Sequence, residues 1–116
     1  MYQDSHPEIA EERNRIEIAK ILPLLHLTTS SRVLDLGCGV GRWADAISQG
    51  ICSYLGCDFS ENLISIAKQR IKKENFTFEC LSATEIGEFS HRNCIPPASH
   101  VIISGVMISL NDKDVN

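Results

Sequence analysis

The sequence predicts an α/β domain, a mainly parallel, doubly wound sheet with flanking helices and about four strands. Three observations carry this. Short apolar runs alternate with stretches of helical periodicity, the order that builds a parallel sheet covered by helices. A glycine-rich turn stands between the first apolar run and the helical stretch after it. The second apolar run closes on an acidic residue, Asp58, where the next helix begins.

The elements follow in order. Pro7 suits the first turn of a helix, and Ile18, Ile21, Leu22 and Leu25 continue it with the i, i+3, i+4, i+7 spacing of a buried stripe. Pro23 lies inside that stripe, lacks a backbone donor and should bend or end the helix. Thr28 to Ser31 read as a loop. Arg32 to Leu36 form the first strand and Gly37 to Gly41 the turn. Arg42 to Gln49 suit a short helix whose apolar face carries Trp43, Ala44 and Ile47, with Gly50 just past its end. Ile51 to Cys57 form the second strand, ending at Asp58. Ser60 is an N-cap for the next helix, and Phe59 and Ile64 have the spacing of a hydrophobic staple across it. Leu63, Ile64, Ala67 and Ile71 line one side of that helix, while Lys68, Arg70, Lys72 and Lys73 crowd its last turns and complement its dipole. Phe76 to Cys80 form the third strand. Leu81 to Ser99 is a long connection with a helical turn around Thr84 to Phe89. His100 to Ser104 form the fourth strand, Gly105 begins a turn, and a further helix would start near Asn116.

The chain of 116 residues is expected to be one domain, residues 1–29 being an N-terminal helical segment and 30–116 the core. A formal net charge of −4 gives no basic field for nucleic acid. No window approaches the roughly 20 apolar residues of a membrane-spanning helix. The acidic start, with Asp4, Glu8, Glu11 and Glu12, is unlike a secretory leader. Cys38, Cys52, Cys57, Cys80 and Cys94 are odd in number and contain no CxxC pair, so they read as buried thiols of a cytoplasmic protein. His91, Cys94 and His100 match no structural zinc spacing, and no metal is expected.

The chemistry lies in Asp35-Leu36-Gly37-Cys38-Gly39-Val40-Gly41. Glycines admit torsions that a Cβ forbids and let backbone approach a ligand. The helix start that follows offers amide groups suited to a carboxylate. A dinucleotide fingerprint wants Gly-x-Gly-x-x-Gly. Here the third glycine comes one residue early, and Arg42 stands where that pattern needs glycine. An acidic residue also stands two before the first glycine. In a βαβ unit Asp58 falls beside the turn at the carboxyl edge of the sheet. A carboxylate there can accept both hydroxyls of a ribose, although an Asp near a helix start is also favourable for the dipole alone.

Asp-x-Gly-x-Gly-x-Gly between strand and helix resembles the first motif of class I S-adenosylmethionine-dependent methyltransferases. The resemblance runs from about Arg32 to Asp112 and is densest over Val33 to Ile66. It implies S-adenosylmethionine as cofactor, with Asp35, Gly37, Cys38, Gly39 and Gly41 shaping the methionine and ribose pocket and Asp58 holding the ribose. It implies Phe59 against adenine, Ala83 beside the adenine ring, and Ser104, with Gly105, bordering the methionine. Ser82 occupies the place of an acid that takes the adenine amino group; a hydroxyl accepts there without charge assistance. Ser99-His100 replaces a common Asp before the fourth strand, and Ile108 and Ser109 stand where family members often carry His, so no general base is assigned. Tyr2, His6 and Arg13 are N-terminal candidates for acceptor binding; the acceptor itself is not identified.

The family's sheet has seven strands in the order 3-2-1-4-5-7-6. With four strands, the far edge of the fourth would be open and apolar, inviting association. The chain is therefore expected to be part of a longer enzyme, or to form a homodimer through that edge. Two other classes stay open: a non-catalytic binding module of the same fold, and a NAD-binding oxidoreductase domain, against which the early third glycine and Arg42 argue.

Overall fold

The computed structural model describes the backbone of residues 7–82, 84–103 and 106–109, and the side chains of 12–82 and 84–103. Helix α1 (Pro7–Ile21) ends where Pro23 requires, and the chain tightens into a 3-10 turn over Leu22–Leu25. His26 closes that turn in the left-handed region at φ 52°. Ile18 is buried, and Ile21, Leu22 and Leu25 pack half-buried against the core.

Strands β1 (Arg32–Leu36), β2 (Ser53–Asp58), β3 (Phe76–Cys80) and β4 (His100–Ile103) pair in parallel in the order β3-β2-β1-β4. The doubly wound α/β fold is the one expected. β2 begins at Ser53 rather than Ile51, and Ser104, expected at the end of the fourth strand, lies outside the described residues.

The far edge of β4 is not open. A fifth strand, β5 (Val106–Ser109), runs antiparallel beside it, from Ile103↔Val106 to His100↔Ser109. Only residues 104 and 105 separate the two strands. A connection that short permits a hairpin, whereas a parallel partner needs a dozen or more residues of crossover. The edge on which association was expected is therefore occupied, and a strand stands just after Gly105.

The two faces of the sheet differ. Registered partners Val33 and Tyr54, Asp35 and Gly56, and Gly56 and Phe78 share one face with His100 and Ile102. That face is tightly covered, with Tyr54 and Ile102 each 1% exposed. Tyr54 stacks on Phe76 at 5.0 Å between ring centroids and meets Phe78 at 5.6 Å. Helix α2 (Arg42–Ala46) packs beside α1, and α3 (Glu61–Arg70) lies on β2 and β3. On the other face Leu34 and Leu55 meet Ser90 of α4 (Ile86–Arg92) and the following Ile95 around a small cavity.

α2 stops at Ala46, short of the expected Gln49, because Ile47 turns extended (ψ 102°) and enters the core at 1% exposure. Its terminal carbonyls are satisfied from another element. Lys73 Nζ donates to the carbonyls of Ala44 (2.7 Å), Asp45 (3.2 Å) and Ile47 (2.6 Å), and lies 5.3 Å from the Phe76 ring centroid. Lys72 and Lys73 thus lie beyond α3 rather than in its last turn. Of the five thiols, all free, Cys38 and Cys57 are buried but Cys80 and Cys94 are exposed, against the expectation of uniform burial. No helix among the described residues is long and apolar enough to cross a membrane.

Candidate functional site

The carboxyl edge of β1 and β2 is where the glycine turn and Asp58 meet. Gly37, Gly39 and Gly41 take φ of 79°, 58° and 89°. The Gly37 and Cys38 N–H groups both donate to the Cys57 carbonyl, at 2.7 and 3.0 Å, and the Gly41 N–H donates to the Cys38 carbonyl at 3.0 Å. These bonds fold the turn down onto the end of β2. At Gly41 a Cβ would meet Ile71 Cγ1 at 3.3 Å on top of the left-handed torsion. Arg70 Nη1 holds the turn from outside, donating to the Val40 carbonyl at 2.6 Å. The Gly37, Cys38, Gly39 and Gly41 amides are taken up within the chain, by the Cys57 carbonyl, the Asp58 carboxylate and the Cys38 carbonyl, and α2, which follows, is five residues long.

Asp58 is 7% exposed and joins the two halves of the site. Its Oδ2 accepts the Gly39 N–H at 3.0 Å and its Oδ1 accepts the Ser60 N–H at 3.0 Å. A carboxylate has about four acceptor positions, so each oxygen keeps one for a ligand. Beside it opens a cavity of about 290 Å³ whose lining includes Gly37, Asp58, Phe59, Leu81, Ser82 and Ile103. Phe59 is 83% exposed while Ile64 is buried, so the expected staple is not formed. The Ser60 side chain, accepting the Leu63 N–H at 3.2 Å, and the Asp58–Ser60 bond fix the start of α3 without it.

The remaining predicted residues divide. Ser82 lines the cavity; its N–H donates to Glu85 Oε1 at 2.8 Å and its hydroxyl lies 2.9 Å from that of Thr84. The Ser82 N–H foremost, and then the Ser82 hydroxyl, hold the exposed Glu85 carboxyl below its ordinary range. Glu85 was not singled out from sequence, although Ser82-x-x-Glu85 has the spacing of a capping box. Ala83 and Ser104 lie outside the described residues.

Asp35 and the Cys38 thiol are not brought to the cavity lining. Asp35 is 1% exposed on the covered face of the sheet, where the Tyr54 hydroxyl donates to its Oδ2 at 2.5 Å. Burial pushes its carboxyl up to about 6, against the Tyr54 bond and with the Asp58 charge adding to the rise. The Cys38 thiol is buried next to Gly56, and burial, with the charge of Asp35, pushes it up to about 12. It is an inert packing group. His100 is structural too, its Nδ1 2.9 Å from Ser99 Oγ and its Nε2 2.9 Å from the Leu25 carbonyl oxygen. Among the described residues no cluster of His, Cys, Asp or Glu could hold a metal.

Comparison with known proteins agrees with this geometry. The sequence profile of the family described as "Methyltransferase domain" matches residues 33–115. The demethylmenaquinone methyltransferase of Lactococcus lactis is 32% identical over 76 residues, covering 63% of this chain and 30% of the relative. That of Staphylococcus haemolyticus is 29% identical over 70 residues, covering 58% and 29%. Among solved structures, a putative S-adenosylmethionine dependent methyltransferase from Listeria monocytogenes has 31% identity and a TM-score of 0.51, covering 60% of this chain and 32% of that one. Phosphoethanolamine N-methyltransferase 1 of Haemonchus contortus, in complex with phosphoethanolamine and S-adenosylhomocysteine, has 27% identity and a TM-score of 0.57, covering 64% and 16%. The chain spans about 30% of the length of the curated relatives it matches.

Proposed function

Since the chain belongs to the family of methyltransferase domains, we propose that the cavity beside Asp58 binds S-adenosylmethionine and that the chain is the cofactor-binding portion of a methyltransferase. One observation carries the reading: the Asp58 carboxylate is tied to Gly39 of the glycine turn and borders the same cavity as Gly37 and the exposed Phe59.

The residues present fit the cofactor. The free acceptor positions of Asp58 suit the two hydroxyls of a ribose. The outward ring of Phe59, with Leu81 and Ile103, offers an apolar wall for adenine. At Gly39 a Cβ would meet nothing within 4 Å, so that side of the turn is open to a ligand. When bound, S-adenosylmethionine supplies a methyl group already activated on a sulfonium. The protein's share is to hold the cofactor, exclude water and align the acceptor, and alignment alone can contribute about 7–11 kcal/mol. No side chain of the cavity is assigned as a base, and the acceptor is unidentified. Five free thiols support a cytoplasmic setting.

The test is calorimetric titration of the chain with S-adenosylhomocysteine and, separately, with NAD. Binding of S-adenosylhomocysteine without NAD is expected. Binding of NAD alone would overturn the reading.

A further inference from the structure

The glycine turn is gripped from both ends of one helix. At the start of α3, Asp58 Oδ2 accepts the Gly39 N–H at 3.0 Å while Oδ1 accepts the Ser60 N–H. At the last residue of α3, Arg70 Nη1 donates to the Val40 carbonyl, the next along the turn, at 2.6 Å. Just beyond the helix Ile71 packs against Gly41, where a Cβ would stand 3.3 Å from Ile71 Cγ1. Gly39, Val40 and Gly41 are thus each met in succession by α3 or its flanks.

The Val40–Gly41 peptide is held at both of its polar groups. Its carbonyl accepts from Arg70, and its N–H donates to the Cys38 carbonyl at 3.0 Å. Glycines flank Val40 at φ of 58° and 89°, so this stretch of backbone has more conformations open to it than most. Fixing it before a ligand arrives removes an ordering cost that binding would otherwise carry. Arg70 does this from outside the cavity beside Asp58, whose lining does not include it. Its Nη2 also lies 3.6 Å from Asp45 Oδ2, but Asp45 is the more exposed of the two, and a surface pair of that kind contributes little. The contact that distinguishes Arg70 is its bond to the backbone of the turn.

We propose that Arg70 is a positioning residue for the cofactor: from outside the cavity, it sets affinity by holding the glycine turn in its binding shape. This rests on the reading of the cavity beside Asp58 as an S-adenosylmethionine site.

S-Adenosylhomocysteine is titrated calorimetrically into the native full chain and into Arg70→Met, Arg70→Lys and Lys68→Met, with urea melts verifying that each variant folds. Met keeps an aliphatic stem without donors, and Lys restores a donor. Lys68→Met removes an equal charge from the same last turn of α3, at an exposed residue outside these contacts. Affinity is expected to fall about tenfold in Arg70→Met, to recover most of that loss in Arg70→Lys, and to stay native in Lys68→Met. In the ligand-free chain, hydrogen exchange at the Gly41 amide should quicken in Arg70→Met and not in Lys68→Met. Should Arg70→Met fail to fold, Arg70→Gln takes its place. Native affinity in the folded variant, equal weakening in Lys68→Met, no recovery in Arg70→Lys, or native exchange at Gly41 each overturns the inference and leaves the cofactor reading standing. No binding to the native chain overturns the cofactor reading, and this inference with it.

Discussion

The Asp35 carboxyl lies on the covered face of the sheet, and burial raises it from 3.8 to about 6. Between those values the folded state binds more protons than the unfolded, so this group's contribution to stability falls as pH rises from about 4 to 6. The span corresponds to about 3 kcal/mol. Asp35→Asn keeps an acceptor for the Tyr54 hydroxyl and removes the titration. Urea melts of the native chain and the variant at pH 4.5 and 7 should show their stability difference shifting with pH in the variant's favour; a difference independent of pH contradicts the assignment. Gly56 acts sterically. A Cβ there would stand 2.8 Å from Phe78 and 3.0 Å from Cys38 Sγ, directly beneath the glycine turn. Gly56→Ala should cost about 1–3 kcal/mol, read as a lower urea midpoint at unchanged slope. The motif pattern singles out the turn glycines but not Gly56, because its demand comes from a neighbouring strand. Phe59 shows the reverse: its spacing suggests a staple, yet the Asp58 and Ser60 bonds leave the ring free for the cavity.

Among the elements, α2 depends most on a residue outside itself. Charge patterning gives Lys73 to the end of α3, since sequence neighbours are all that such patterning can see. In the fold it closes the last carbonyls of α2. Lys73→Met retains the aliphatic stem and removes the donors. A loss of about 1.5–3 kcal/mol is expected, with amide hydrogen exchange accelerating over residues 44–47 and unchanged over α3. Fraying confined to α3 would contradict the structure. β1 and β3 keep their sequence-derived bounds because each is a short stretch of interspersed polar and apolar residues between turn residues. α2 does not, because Ile47 fits a helical face and an extended core position equally well.

Across the whole molecule, the alternation of strands and helices makes the parallel sheet readable from sequence, and βαβ geometry alone places Asp58 beside the turn, where the structure has it. β5 was not readable: Val106–Ser109 is an apolar run whose direction depends on the two residues between it and β4. The same geometry makes Asp58 the joint between turn, strand and cavity. Calorimetric titration of S-adenosylhomocysteine into the native chain and into Asp58→Ala tests this most directly, with circular dichroism verifying that the variant folds. The account predicts binding to the native chain that weakens roughly 10- to 100-fold in a folded variant, as expected for losing a charge-assisted bond. Undiminished binding to folded Asp58→Ala would contradict it.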